Sequence, residues 1–412
     1  MSQLPTDSRI VCADCLSRDS VLQGWLKEYG GTQKCCFCGG ENRPALPVND
    51  VAKHVLELLE NAGYKLCPIA SKQNIYEPTH EVLADVLDYR GDSGGIPHDN
   101  SLIGHLCRAI DAIILSDDSV NKTWVKPSSN IHGSDYLYSW SGFVGEISYR
   151  RRFLFLSSDA RETEQFLPKY SPGEMLKKVG NAVREMNLIS EIQKGKEIYR
   201  ARVAWNGETF SGKEQLGAPP SNLAKAGRMN PPGISYFYAA DSLYTACAEV
   251  CTDKPETVKT VYVGKWETTK DLNFIDLSNL GELPSFFAPG ERDKYVSNKF
   301  LRRFIEDVCR PLPRDDIAQL TYIPAQVVSE YFRTVLPDVD GVIFTSAQDR
   351  KGKCVVVFPS DDDTESTSYF GDRLKLRDKC PEGMLVGNEP DLIIQKESVE
   401  ESLCPWDVTA RL

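Results

Sequence analysis

Histidine is scarce in this chain of 412 residues, and its placement is one-sided. All five, His54, His80, His98, His105 and His132, precede residue 133, so the last 280 residues hold none. That excludes a histidine acid or base, and a histidine-bound metal, from the C-terminal part of the molecule. No apolar run approaches the ~20 residues that a bilayer-spanning helix needs. The opening stretch MSQLPTDSRIVCADC lacks a basic region followed by an apolar core, so no secretory leader is expected. There is no internal repeat and no glycine-rich phosphate loop of Walker or Rossmann type. An excess of positive charge is also missing: 48 Lys+Arg face 59 Asp+Glu, a net charge of -11. General nucleic-acid binding is thereby disfavoured, because neutralising phosphates needs a basic face.

What is present is a folding composition, 41% hydrophobic and 26% charged, in a chain long enough for two or three domains. The acidity is uneven. Residues 361–412 carry 6 Lys+Arg and 13 Asp+Glu, a local balance of -7, and read as a solvated acidic tail. The thirteen cysteines are an odd number, with five crowded into residues 12–38 and eight scattered singly. That is no disulfide framework; it points to a reducing compartment, a cytoplasm, and one metal site. The crowded five contain Cys12-Ala-Asp-Cys15 and Cys35-Cys36-Phe-Cys38, two CxxC pairs nineteen residues apart. Each CxxC turn offers two thiolates, and four thiolates satisfy tetrahedral zinc with no open position, so the metal is expected to be structural. Cys12, Cys15, Cys35 and Cys38 are the expected ligands. Cys36 is the spare thiol, and a shifted pairing that uses it stays open. Residues 1–44 balance five basic side chains against five acidic ones, which suits a packing or protein-contact element better than a phosphate clamp.

The expected fold class is α+β: a zinc-binding module at 1–44, a mostly helical domain at 45–190, a mixed α/β domain at 191–360 and an acidic tail at 361–412. In the middle region Val51–Ala62, Glu81–Tyr89, Leu102–Leu115 and Pro172–Gln193 read as helices, with Asp50 as an N-cap and Gly63 as a stop. An aromatic-rich connecting stretch from Trp124 to Phe155 encloses Arg150, Arg151 and Arg152, which read as a salt-bridged surface. Beyond Lys196 the expected strands are Ile198–Trp205, Ser235–Ala239, Val258–Trp266, Leu272–Leu277, Gly341–Thr345 and Cys354–Phe358. Asp241 is expected to cap a helix, Phe300–Val308 to form another, and Ala325–Leu336 a third with Pro324 in its first turn.

The chemistry of the last domain is carried by GRMNPPGISYFYAADSLYTACAEV and its surroundings. Arg200 on a strand and Arg228 in a Pro/Gly-rich loop suit a diphosphate, since guanidinium pairs with phosphate oxygens and keeps its charge. Tyr238 lies beside Ala239 and Ala240, which leave room for a flat ring to stack. Glu249 is a single carboxylate on the following helix, suited to charge stabilisation or a ribose contact rather than to two-carboxylate catalysis. One reaction fits that set without histidine. Breaking the N-glycosidic bond of NAD releases nicotinamide, which leaves without a proton, and a carboxylate can offset the ribosyl cation of the transition state.

These segments together, IYRAR, LGAPP…GRMNPPGISYFYAAD, TACAEV and DGVIFTSAQ, resemble the RES domain, named for its Arg, Glu and Ser motif positions, across Lys196–Ser360. The resemblance implies a distant relative of the ADP-ribosyltransferases that acts as a NAD-depleting bacterial toxin. It implies that Arg200 and Arg228 hold the phosphates or the nicotinamide-side ribose, that Tyr238 stacks on nicotinamide, that Glu249 stabilises the ribosyl cation, and that Ser346 contacts substrate. The family often has two adjacent serines at the last position, and here the pair is Ser346-Ala347. The paired cysteines and helical middle resemble the N-terminal domain fused to RES or HEPN toxin domains. The nearest match to a HEPN ribonuclease Arg-to-His spacing, Arg90 to His98, is too wide. The implied partners are NAD and an antitoxin or trigger protein contacting the N-terminal half, without nucleic acid or membrane. Two other readings stand beside NAD cleavage: a protein ADP-ribosyltransferase on the same site, and an inactive zinc-stabilised binding module.

Overall fold

Asp19 opens the first α-helix among the described residues: its carboxylate accepts hydrogen bonds from the backbone N–H groups of Val21 (3.1 Å) and Leu22 (2.9 Å). In the computed structural model, residues 8–68, 76–87, 101–116, 122–125, 133–155, 170–204, 208–210, 212–251, 259–309, 316–336, 338–349, 351–359, 373–379, 384–386 and 393–395 are described. The chain forms two units, Met1–Tyr138 with Gly281–Phe300, and Ser139–Leu280 with Leu301–Leu412. The four-part scheme read from the sequence stands beside this division as our proposal for how the chain is organised.

In the first unit, β1 (Ile10–Cys12), β2 (Gly31–Gln33) and β3 (Arg43–Pro47) make a small antiparallel sheet of order β1-β3-β2, with α1 (Ser20–Tyr29) between its first two strands in sequence. Next comes α2 (Val48–Asn61), which buries Val48, Val51, Ala52, Val55 and Leu59 along one stripe. It starts one turn before the expected point, directly after Pro47, and Asp50 lies inside it, paired with Lys53 at 3.2 Å. Gly63, at φ 90°, ends it as the sequence suggested. A second three-stranded sheet, ordered β4-β6-β5, is built from β4 (Lys65–Pro68), β5 (Tyr76–Glu77) and β6 (Lys122–Val125), with α3 (Thr79–Val86) and α4 (Leu102–Ser116) between the last two. Buried Trp124 of β6 donates to Thr79 Oγ1 at 3.0 Å. The inserted segment Gly281–Phe300 belongs to this unit through specific bonds. Ser285 donates to Asp19 Oδ2 (2.7 Å), the Tyr295 hydroxyl to Asp85 O (2.6 Å), and Lys299 Nζ to Ala84 O (3.0 Å) and Asp85 O (2.6 Å).

The second unit begins in α5 (Gly133–Tyr149), so the aromatic stretch expected as a connection is largely helical. Its Trp140 stacks on Phe143 and donates to Asp307 Oδ2 at 3.1 Å. Arg150 and Arg151 pair with Glu146, as expected of a salt-bridged surface. Ser171 and Glu174 form a capping box at the start of α6 (Pro172–Glu185). That helix stops before its expected end at Gln193, because Asn187 turns left-handed at φ 51° and the chain enters β7 (Ile189–Ile192) instead.

The remaining elements are β8 (Glu197–Ala204), α7 (Lys213–Leu216), β9 (Phe237–Ala240), α8 (Leu243–Cys251), β10 (Lys259–Thr268), β11 (Leu272–Asp276), α9 (Arg292–Cys309), α10 (Asp316–Val335), β12 (Gly341–Thr345), β13 (Lys353–Val357), β14 (Leu374–Lys379), β15 (Met384–Val386) and β16 (Ile393–Gln395). They build one ten-stranded sheet, β16-β15-β10-β8-β9-β13-β12-β11-β7, with β14 also on β10. Only the β11–β12 pairing is parallel among those described. Helix α10 begins well before Pro324, which therefore lies inside it rather than in its first turn. Most of the expected acidic tail lies outside the described residues. Three of its segments are described, and all join the sheet, β14 and β15 on β10 and β16 on β15, so these parts are not the solvated tail expected from composition. Among the described residues, no helix is long and apolar enough to cross a membrane.

Candidate functional site

Strand alternation decides where the motif residues point. On β8, Tyr199, Ala201 and Val203 pack with Leu243, Cys247, Val250 and Cys251 of α8. Arg200 and Arg202 therefore leave from the opposite face. Tyr199 pairs with Ala240, so Ala240 and Tyr238 share the α8 face while Phe237 and Ala239 share the other. Tyr199–Ala240 is the only register pair between β8 and β9, so the two strands splay apart toward Tyr238. Arg200 fills that gap: its Nη1 donates to Tyr238 O at 2.7 Å, and its guanidinium sits over the Phe237 ring at 5.2 Å.

The Arg228 loop is moulded around Tyr238. The tyrosine hydroxyl donates to Asn230 Oδ1 (2.7 Å) and accepts from the backbone N–H of Met229 (3.0 Å). Asn230 is buried, and its amide donates to Lys225 O (3.0 Å), Pro231 O (3.1 Å) and Ile234 O (2.8 Å). Gln326 of α10 pins the same loop by donating to Gly227 O (2.7 Å) and Asn230 O (3.0 Å). A side chain at Gly227 would collide with Asn230 and Tyr238, so the close approach requires glycine. The Arg228 guanidinium lies 5.7 Å from the Tyr322 ring centre. Burial pushes the Tyr238 hydroxyl well above the usual tyrosine range, although the Met229 N–H, Arg228 and Arg200 pull the other way. Burial lowers Arg200 to about 10, with the charge of Arg202 adding to the effect, so it keeps its charge at neutral pH. Arg200, Arg228 and Tyr238 thus form one electrostatic group.

Glu249 and Ser346 form a second. The Ser346 hydroxyl donates to Glu249 Oε1 at 2.5 Å, across 97 residues of sequence. Ser346 is buried just after β12, in the tight connection to β13, where its N–H bonds Gly352 O at 2.9 Å. Helix α8 presents Glu249 to this connection. Its cap is Ser242, whose hydroxyl accepts from Thr245 N at 3.1 Å; the expected cap, Asp241, instead holds Lys353 N at 3.0 Å. Tyr238 is level with Val356 and, through it, Val342. Ser346 lies four residues beyond Val342, just past the end of β12. The five residues therefore come as two groups, Arg200, Arg228 and Tyr238 around β9, and Glu249 and Ser346 where α8 meets the β12–β13 connection. Sequence reading did not single out Asn230, Thr245, Asp349 or Gln326. The first three carry a weak signal, since each lies two to four residues from a motif residue. Gln326 carries none.

A cleft of about 740 Å³ lies behind the Arg228 loop, lined by Ala226, Pro231 and Pro232 of the loop and by Ile323, Gln326 and Tyr331 of α10. None of the five motif residues lines it, so it backs the site rather than forming it.

In the first unit, the Sγ atoms of Cys12, Cys15, Cys35 and Cys38 all lie within 4.8 Å of one another. The Cys12–Cys15, Cys12–Cys38 and Cys15–Cys35 separations are 3.8, 3.6 and 3.6 Å. Four thiolates around one ion at ~2.3 Å would stand about 3.8 Å apart, so the cluster fits a tetrahedral metal. Cys36 is outside it, its sulfur accepting from Ile10 N at 3.3 Å.

The RES domain family matches residues 197–376, the span from β8 into β14 that contains all five motif residues. This chain carries a RES domain. Residues 28–161 match HEPN/RES N-terminal domain 1. The RES family is associated with NAD-related enzymatic activity, and the pairing of these domains is typical of toxin–antitoxin systems. No curated protein and no solved structure matches the chain.

Proposed function

We propose that this RES protein cleaves NAD at the bond between nicotinamide and ribose, with Glu249 stabilising the ribosyl cation. The observation that carries the reading is the Ser346–Glu249 hydrogen bond, which joins two distant motif residues into one site within the RES-matched segment. The hydroxyl donates a hydrogen bond to a carboxylate oxygen and orients the carboxylate, which is what a fixed negative charge beside a developing cation requires. Arg200 and Arg228 hold the diphosphate, and Tyr238 offers its ring to the base while its hydroxyl is occupied by Asn230 and Met229. The base, ribose and diphosphate of a dinucleotide follow one another along the molecule, so one bound NAD engages both groups of residues. The leaving nicotinamide needs no proton, consistent with a C-terminal half without histidine.

We further propose that the four-cysteine cluster holds structural zinc, and that a neutralising antitoxin contacts the N-terminal half, so that NAD depletion is the toxic act. The test is free nicotinamide released from NAD by the purified full-length protein. Glu249→Gln keeps the shape but removes the charge, and is expected to lower turnover about 10²–10³-fold. Equal turnover in the variant would remove Glu249 from the mechanism. A mass increase of one ADP-ribose on a target protein would assign the acceptor as a side chain rather than water or phosphate.

A further inference from the structure

Glu249 acts only if its carboxylate is held at one place, and nine-residue α8 is fixed near it by a second contact. Thr245, one turn earlier on the same face of α8 and fully buried, donates to Asp349 Oδ2 at 2.8 Å. Asp349 is itself buried, and its other oxygen accepts from Lys351 N at 3.1 Å. Its backbone N–H donates to Ser346 Oγ at 2.9 Å, and Gln348 N does the same at 3.1 Å. A hydroxyl has one proton and two lone pairs. Both acceptor positions of Ser346 are thus filled by backbone N–H groups, and its proton has Glu249 as its target. Gly352 closes the arrangement: a Cβ there would overlap Thr245 Oγ1 and Asp349 Oδ2, so helix and connection touch with no room between them.

We propose that Thr245 and Asp349 are positioning residues: their buried bond sets the β12–β13 connection against α8 so that Ser346 presents its proton to Glu249. The proposal rests on the NAD-cleavage reading for its activity readout, but not for its structural one. A buried carboxylate bound to a buried hydroxyl is a polar cluster that packing alone does not require. Neither Thr245 nor Asp349 is assigned a contact with substrate, so the pair acts through Ser346 and Glu249 rather than on NAD.

The test uses the full-length, metal-loaded protein. Thr245→Val keeps the shape and removes the donor. It is expected to lower kcat for nicotinamide release roughly 10- to 100-fold, the scale of a displacement near 1 Å, with KM for NAD unchanged. Thr245→Ser restores the hydroxyl and is expected to recover kcat to within about threefold of wild type. A fall in melting temperature with kcat intact in Thr245→Val would reduce the pair to packing and overturn the proposal. Should Thr245→Val not fold, Asp349→Asn, which nearly preserves volume, takes its place with the same readouts. A crystal structure of the variant gives a result independent of activity. The Ser346–Glu249 bond is expected to be lost, and its retention at the wild-type distance overturns the proposal. If folded wild type releases no nicotinamide, NAD cleavage fails as the function, and that distance alone decides on the clamp.

Discussion

Asn230 shows how a buried residue can hold a motif residue of the candidate site in place. It is buried, joins three carbonyls of its own loop and accepts the proton of Tyr238. Tyr238→Phe leaves Asn230 Oδ1 without that donor inside the protein, which should lower stability by about 1–3 kcal/mol while keeping the ring. A shift of the denaturation midpoint at constant m-value measures this; an unchanged midpoint would contradict the role given to the hydroxyl. Arg200 gives a pH signature. Burial lowers it to about 10, so phosphate binding should hold from neutrality to mildly alkaline pH and weaken as pH rises through 10. The stability effect has the opposite sign: between about 10 and the ordinary arginine value the unfolded chain binds the extra proton, so stability rises with pH there. A KM for NAD that stays flat through pH 10 and beyond would show that Arg200 does not bind the phosphates. The motif residues were legible because each stands in a recognisable local segment. Asn230, Thr245 and Asp349 were not, because their roles depend on partners met only in the fold, in one case 104 residues away.

Elements were legible where pattern and packing agree. Strands β12 and β13 follow β-branched runs closely, β8 and β11 match their expected spans to within one residue, and α2 follows its apolar stripe. The differences have local causes. Asn187 adopts a left-handed turn that apolar periodicity does not foresee, so α6 is shorter than its pattern. Pro324 favours a first-turn reading, yet Leu320 and Ile323 line the same cleft as Val327 and Tyr331, and α10 runs through the proline. The spare cysteine belongs to this scale too. Cys36 lies outside the sulfur cluster, so Cys36→Ser should keep about one zinc per chain, while Cys38→Ser should lose it. Elemental analysis of the two variants measures this, and metal loss from Cys36→Ser would favour the shifted pairing. Cys12 lies on β1 and Cys35 on the turn between β2 and β3, so a chelator should also unravel that small sheet.

At the scale of the molecule, sequence order conceals how the chain is partitioned. Gly281–Phe300 falls within the RES-matched span yet belongs to the first unit, where Phe286 meets Tyr64 and Lys299 meets Asp85. Composition changes only near residue 196, so nothing in the sequence marks this return. A fragment of residues 191–412 would strand Phe286, Tyr295 and Phe300, which are buried in the whole chain. It is expected to be aggregation-prone and to melt lower than the full chain; a soluble, well-folded fragment would contradict the partition. Control by a partner is therefore best studied on the intact protein. NAD cleavage by Glu249 is tested most directly by the release of nicotinamide from NAD by purified full-length protein, wild type beside Glu249→Gln, with zinc content and folding verified in both. Steady release by wild type and a loss of about 10²–10³-fold in the variant are expected. No release by folded, zinc-loaded wild type, or equal release by both proteins, would contradict NAD cleavage by Glu249.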